Sequence, residues 1–124
     1  MNSAWQPVFA KDPSLFPHLA DFEKGQVLLS TMSEDAFQKA SFLDQRLFTP
    51  DLQRQVVSWA DTAAVPLPPL AKPHYIFHVG HVGSTLISRL LGELDQILAL
   101  REPAILRQLA EVRVNRSSVI NWSD

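Results

Sequence analysis

Two glycines, Gly80 and Gly83, stand three residues apart between an apolar run and a helix-forming run. They constrain the fold of this chain more than any other feature. The stretch 75–91 reads YIFHVGHVGSTLISRLL. Its first five residues are mostly aromatic or β-branched and predict a buried strand over 75–79. Only four glycines occur in the chain, and two of them sit at this one junction. Ser84 and Thr85 follow at once. Beyond them Leu86, Leu90 and Leu94 recur along one side of a helix over 84–94, with Ile87 and Leu91 beside them. An apolar arc of that width predicts a helix packed on both flanks, as in an α/β layer. The first amides of such a helix are unpaired and lie at the positive end of its dipole. Small residues let an anion approach them, so strand, glycine loop and helix together make a phosphate-binding arrangement.

The residues that follow extend the pattern. A second short apolar run, ILAL at 97–100, predicts another strand, and Pro103 is expected at the first position of a last helix. Ile105, Leu106, Leu109 and Val112 supply its core face. Strand, loop, helix, strand and helix imply a parallel pair joined by a right-handed crossover. Ligands of such sheets bind beyond the carboxyl ends of the strands, where residues 80–85 and Arg101–Glu102 fall.

Upstream, four of the nine prolines lie in VPLPPLAKP, 65–73, and predict a stiff extended connector. It separates an N-terminal α/β segment, 1–64, from the phosphate-loop α/β unit, 74–124. In the first segment QVLLST, 26–31, predicts a strand. Ser33 is placed to cap a helix whose first turn holds Glu34 and Asp35. Ala36, Ala40, Leu43 and Leu47 continue at helical spacing, and 52–60 predicts a second helix. Phe37, Phe42, Phe48 and Trp59 are expected in the core.

Composition narrows the function classes. A net charge of −2 gives no reason to expect nucleic acid or an anionic membrane surface as partner. The absence of cysteine excludes disulfides, thiolate metal sites and thiol nucleophiles. No run approaches the ~18 apolar residues of a membrane span, and MNSAWQPVFAKDP lacks the features of a secretory signal. The cytoplasm is therefore the expected compartment. His74, His78 and His81 are close in sequence, but in a strand His74 and His78 stand roughly 13 Å apart. They cannot share one ion there, and no metal site is expected.

A nucleotide-hydrolysing loop has the form GxxxxGK[ST], whose lysine holds the outer phosphates. Gly80-His-Val-Gly83-Ser84-Thr85 lacks that lysine and two residues of spacing, so ATP or GTP hydrolysis is disfavoured. The segment FHVGHVGSTLISRLL with LALREP instead resembles the 5′-phosphosulfate-binding loop and next strand of sulfotransferases that use 3′-phosphoadenosine 5′-phosphosulfate (PAPS). In that family the loop has a basic residue, a small residue, Gly, two hydroxyl residues and an apolar residue opening the helix. His81 takes the basic place, Gly83 the glycine, Ser84 and Thr85 the hydroxyls, and Leu86 the apolar place.

The resemblance covers about a quarter of the chain. It implies a P-loop-type parallel sheet flanked by helices, incomplete relative to the full family fold, with the chain corresponding to the front part of such an enzyme. It implies PAPS as sulfuryl donor, bound through Gly80, His81, Val82, Gly83, Ser84, Thr85 and Leu86. His81 and Glu102 are the implied catalytic residues, Glu102 standing where the tyrosylprotein branch carries its catalytic glutamate. The acceptor would be a hydroxyl or amine, and self-association is left open. Sulfuryl transfer passes through a loose transition state with charge building on the departing phosphate, which the loop amides and hydroxyls would hold. The acceptor needs a base within hydrogen-bond reach, which Glu102 would supply. Alternatives are a non-catalytic remnant, an interaction domain, or a phosphate binder without hydrolysis. Glu102 also has a structural reading, as a carboxylate facing the start of the last helix.

Overall fold

The computed structural model describes residues 4–69, 72–80 and 82–115. Its centre is a three-stranded antiparallel meander of β1 (Leu15–Asp21), β2 (Gln26–Thr31) and β3 (Arg54–Ser58), in that order across the sheet. The chain is thus mixed α/β. The β1–β2 turn forms because Asp21 accepts from the Lys24 amide at 3.0 Å and pairs with the Lys24 ammonium at 2.9 Å. Gly25 then supplies a left-handed residue at φ +61°. Leu15 lies opposite Thr31 and Asp21 opposite Gln26, with one register shift between Pro17 and Leu19. Pro17 sits in an edge strand beside that irregularity, where a missing donor is tolerated.

The sheet separates two apolar clusters. Leu15, Ala20, Val27, Leu29, Val57 and Ile105 form one, flanked by Trp5, Phe9, Phe22, Trp59 and Leu109. Phe16, Met32, Phe37, Ala40 and Leu43 form the other. Successive residues Leu15 and Phe16 enter different clusters, as the period of two in a strand requires. Short helices α1 (Gln6–Phe9), α2 (Glu34–Lys39) and α3 (Trp59–Ala63) surround the sheet, with a 3₁₀ turn at Gln45–Leu47. Ser33 caps α2 as expected, its hydroxyl accepting from the Ala36 amide at 3.1 Å.

Beyond the prolines lie α4 (Ser84–Gly92) and α5 (Ala104–Val114). α5 returns to the sheet. Ile105 enters the first cluster, and the Gln108 side chain clasps the Ala20 backbone. It donates to the Ala20 carbonyl at 2.7 Å and accepts from its amide at 3.0 Å. That amide group covers part of the β1 edge, which would otherwise present unpaired groups.

Several expectations are corrected. Residues 54–58 are strand rather than helix, because the β-branched pair Val56 and Val57 pairs with Leu28 and Val27 of β2. The helix after Ser33 ends at Lys39, Ala40 being extended at ψ 124°. The larger correction concerns the parallel pair: neither 75–79 nor 97–100 forms a strand. Parallel strands pair less strongly than antiparallel ones and need both faces covered, and the described residues supply no further strand beside them. Without a sheet under it, α4 buries none of its residues, against the expectation of packing on both flanks. Leu86 is 63% exposed and Leu90 62%. A parallel P-loop sheet is therefore not formed among the described residues.

Candidate phosphate-binding site

Both loop glycines adopt the conformation that favours glycine. Gly80 has φ +67° and Gly83 φ +81°, and a methyl group at either would meet open space, so backbone conformation alone requires them. Gly83 is the N-cap of α4, and its carbonyl accepts the first helical bond from Ile87 at 3.1 Å. Among the described residues no side chain caps this helix end. The amides of the first turn, at Ser84, Thr85 and Leu86, are left for an outside acceptor. Val82, Gly83, Thr85 and Leu86 are exposed and Ser84 is half-buried, so an anion has access to them. His81 lies outside the described residues.

Glu102 approaches this loop from the far end of the chain's next segment. Pro103 caps α5 without being its first residue, and no side chain caps that helix. The Glu102 carboxylate faces His78 instead, with Oε1 3.5 Å from Nε2. The other ring nitrogen of His78, Nδ1, accepts from the Gly80 amide at 3.3 Å. Among the described residues Glu102 is the one non-glycine residue with a positive φ, +42°. Such a conformation costs on the order of 1–3 kcal/mol and is held by its surroundings.

What holds it is visible on either side. The Leu43 amide donates to the Arg101 carbonyl, and the Ala104 amide donates to the Leu43 carbonyl, both at 2.9 Å. These two bonds clamp the backbone around Glu102. The Arg101 side chain is buried and makes a second anchor. Its guanidinium donates to the carbonyl of Phe37 at 2.6 Å and also to those of Gln38 and Ala40. These carbonyls lie at the C-terminal end of α2, where a cation is favoured. Burial, with the charge of Arg89 added, pulls the Arg101 guanidinium below its ordinary value. Arg89 makes no ion pair with Glu93 among the described residues, although helical spacing allows one.

Further support comes from the turn after Leu43. Arg46 forks onto the Asp44 carboxylate at 2.6–3.0 Å, and this hydrogen bonding holds the Asp44 carboxyl down at about 2. Asp44 in turn presents its backbone carbonyl to His18 Nε2 at 3.0 Å, while His18 Nδ1 meets the Ser30 hydroxyl at 2.9 Å. A run of contacts thus links β1, the 40–44 backbone and the Glu102 turn.

Glu102 thus stands beside His78, and His78 beside Gly80, while residues 82–86 follow Gly80 in the chain. His78 is the residue that sequence reasoning set aside. Its only signal was position, near the carboxyl end of one apolar run while Glu102 stands just past the end of the next. An open cavity of about 390 Å³ elsewhere is lined by Asp12, Glu34 and Asp95 over Met32 and Phe37, the wrong sign for phosphate. Among the described residues no group of three or more His, Asp or Glu could hold a metal. No helix among them is long and apolar enough to cross a membrane.

No family model, curated protein or solved structure matches this chain. The functional reading therefore rests on the loop and on the resemblance of its residues.

Proposed function

We propose that this chain binds the 5′-phosphosulfate end of PAPS through residues 80–86 and serves sulfuryl transfer to a hydroxyl or amine. The observation that carries the reading is the pair of left-handed glycines before a helix that no side chain caps. Backbone donors there would meet the donor's phosphate, joined by the hydroxyls of Ser84 and Thr85. His81, in the family's basic place, would add positive charge. Glu102 is the acid–base group of this reading, and its strained backbone beside the loop supports a functional placement. In the active assembly, 75–79 and 97–100 would take up the strand positions of a parallel sheet, with α4 packed over them.

Titration with adenosine 3′,5′-bisphosphate, followed by amide NMR, tests the proposal. Millimolar ligand is expected to shift Gly83, Ser84, Thr85 and Leu86 while leaving β1–β3 in place. Unmoved loop amides would rule out the phosphate site.

A second reading, an interaction domain, is favoured by one observation. The apolar residues of α4 and of 75–79 are exposed, Phe77 to 91%. Contiguous apolar surface of this kind marks contact sites. Unmoved loop amides together with self-association on sedimentation would select that reading.

A further inference from the structure

The two polar neighbours of His78 are of opposite kind, and this has a chemical consequence. A carboxylate only accepts hydrogen bonds, and a backbone amide only donates. The Gly80 amide donates to Nδ1 at 3.3 Å and so needs the lone pair there, while Glu102 Oε1 stands at ion-pair distance, 3.5 Å, from Nε2; one tautomer of the neutral ring suits both. Nε2 carries the proton and Nδ1 carries the lone pair. This is the arrangement in which a carboxylate orients an imidazole and leaves its other nitrogen basic.

The second consequence concerns Gly80. Its amide belongs to the loop read above as a phosphate site, yet it points to His78 Nδ1. An anion that takes up the Gly80 amide would remove the donor from Nδ1 and expose the basic nitrogen. Loading of the loop and availability of the base would then be coupled through one hydrogen bond.

We propose that His78 and Glu102 work as a pair in which Glu102 is a positioning residue and His78 Nδ1 takes the acceptor's proton once the loop is occupied. The inference rests on the phosphosulfate reading and deepens it by moving the base from Glu102 to His78. In the step itself, a lone pair of the acceptor oxygen or nitrogen forms the new bond to sulfur. The acceptor proton passes to His78 Nδ1. The bond between sulfur and the bridging oxygen breaks, and its electron pair leaves with the 5′-phosphate. No oxidant or further reactant enters.

Three features of the fold support the pairing. Glu102 holds φ +42° where an ordinary turn would place a glycine. The bonds between Leu43 and residues 101 and 104 keep it there. Its carboxylate also declines the nearby start of α5, which no side chain caps. Among the described residues a further charged group is Arg46, on the 3₁₀ turn, whose positive charge Glu102 favours. Arg46 is itself committed to Asp44 through three hydrogen bonds and leaves the Glu102 carboxylate to His78.

Long-range proton–nitrogen NMR on the ¹⁵N-labelled full chain reads both ring nitrogens directly. At a pH where His78 is neutral, the Nε2–H form is expected to dominate in the ligand-free protein. A carboxylate at ion-pair distance from a partly exposed ring nitrogen biases a tautomer ratio by up to about fivefold. Glu102→Ala should therefore lower the Nε2–H to Nδ1–H ratio by up to about fivefold, with the β1–β3 amides unmoved. Adenosine 3′,5′-bisphosphate should then shift Nδ1 toward the unbonded position together with the Gly80 amide.

A tautomer ratio unchanged by Glu102→Ala overturns the pair, whatever the loop binds. Loop amides that shift with the bisphosphate while Nδ1 stays fixed overturn the coupling and leave the phosphate site standing. A silent loop with a fivefold change in tautomer ratio would sink the phosphosulfate reading, and with it the catalytic use of the pair. The pairing itself would survive.

Discussion

Replacing Arg101 with methionine should be among the most damaging single substitutions outside the two apolar clusters. The side chain is 5% exposed, and methionine follows much of its aliphatic path without the charge. What disappears is a fork of three charge-assisted bonds to the Phe37, Gln38 and Ala40 carbonyls. At about 1.5–3 kcal/mol each, their gross loss is roughly 4–9 kcal/mol. Part of that is returned, because a guanidinium no longer has to be desolvated. Arg101 Nη1 is already buried with no partner, so removing it relieves a further cost of about 1–3 kcal/mol. The net expectation is a loss of about 3–5 kcal/mol, set mainly by carbonyls at the end of α2 left without donors.

Urea unfolding monitored by tryptophan fluorescence measures this directly. With a slope of about 2 kcal/mol per molar urea, the midpoint should fall by roughly 1.5–2.5 M. Arg101→Lys should recover only part of the loss, because a single ammonium cannot reach three diverging carbonyls as a planar fork does. A methionine variant within about 1 kcal/mol of the native chain would refute the reasoning. It would mean that the three bonds barely exceed the desolvation they require, and that Glu102 is held in place by the Leu43 backbone alone.

Two further perturbations address the surroundings of the same turn. Burial lowers the pKa of His18, whose unfolded value is about 6.5, while the Asp44 carbonyl opposes the shift and Arg54 adds to it. In the window below ~6.5 the unfolded chain binds a proton that the folded chain does not. Stability should therefore be level above that pH and fall on acidification by at most about 1.4 kcal/mol per unit. Loss of the slope in His18→Leu checks the assignment, and an unchanged slope would contradict it; Asp44, held at about 2, acts only at lower pH. Glu102→Gly should raise stability by about 0.5–1 kcal/mol, since glycine accepts φ +42° without a side-chain clash. A calorimetric loss of stability would show that the Glu102 backbone carries no strain.

The parts of this fold that were legible are those decided within a few residues. The Ser33 cap and the start of α4 at Ser84 follow from local chemistry that needs no distant partner. β2 was also legible, because QVLLST is too β-prone to read otherwise. Its neighbours were not. β1 is interrupted by Pro17 and by the buried, hydrogen-bonded His18, which hide its alternation. β3 carries Val56 and Val57, which with Leu52 just before the strand stand at intervals that also suit a helix, and only pairing with β2 decides between the two.

The same dependence explains the segments 75–79 and 97–100. β propensity describes how a segment behaves once a neighbouring strand is offered, and neither run receives one among the described residues. Reading them as strands was a statement about composition, and pairing is a property of the assembly around them. The contact between His78 and Glu102 lay further out of reach. It joins residues 24 positions apart, at ion-pair distance, and depends on one strained φ that no local pattern announces. That strain is set by backbone bonds from Leu43 and by the guanidinium of Arg101 at the end of α2. The Glu102 turn thus takes its geometry from the antiparallel half of the molecule. Substitutions near α2 should therefore reach His78 and the Gly80 amide through Glu102.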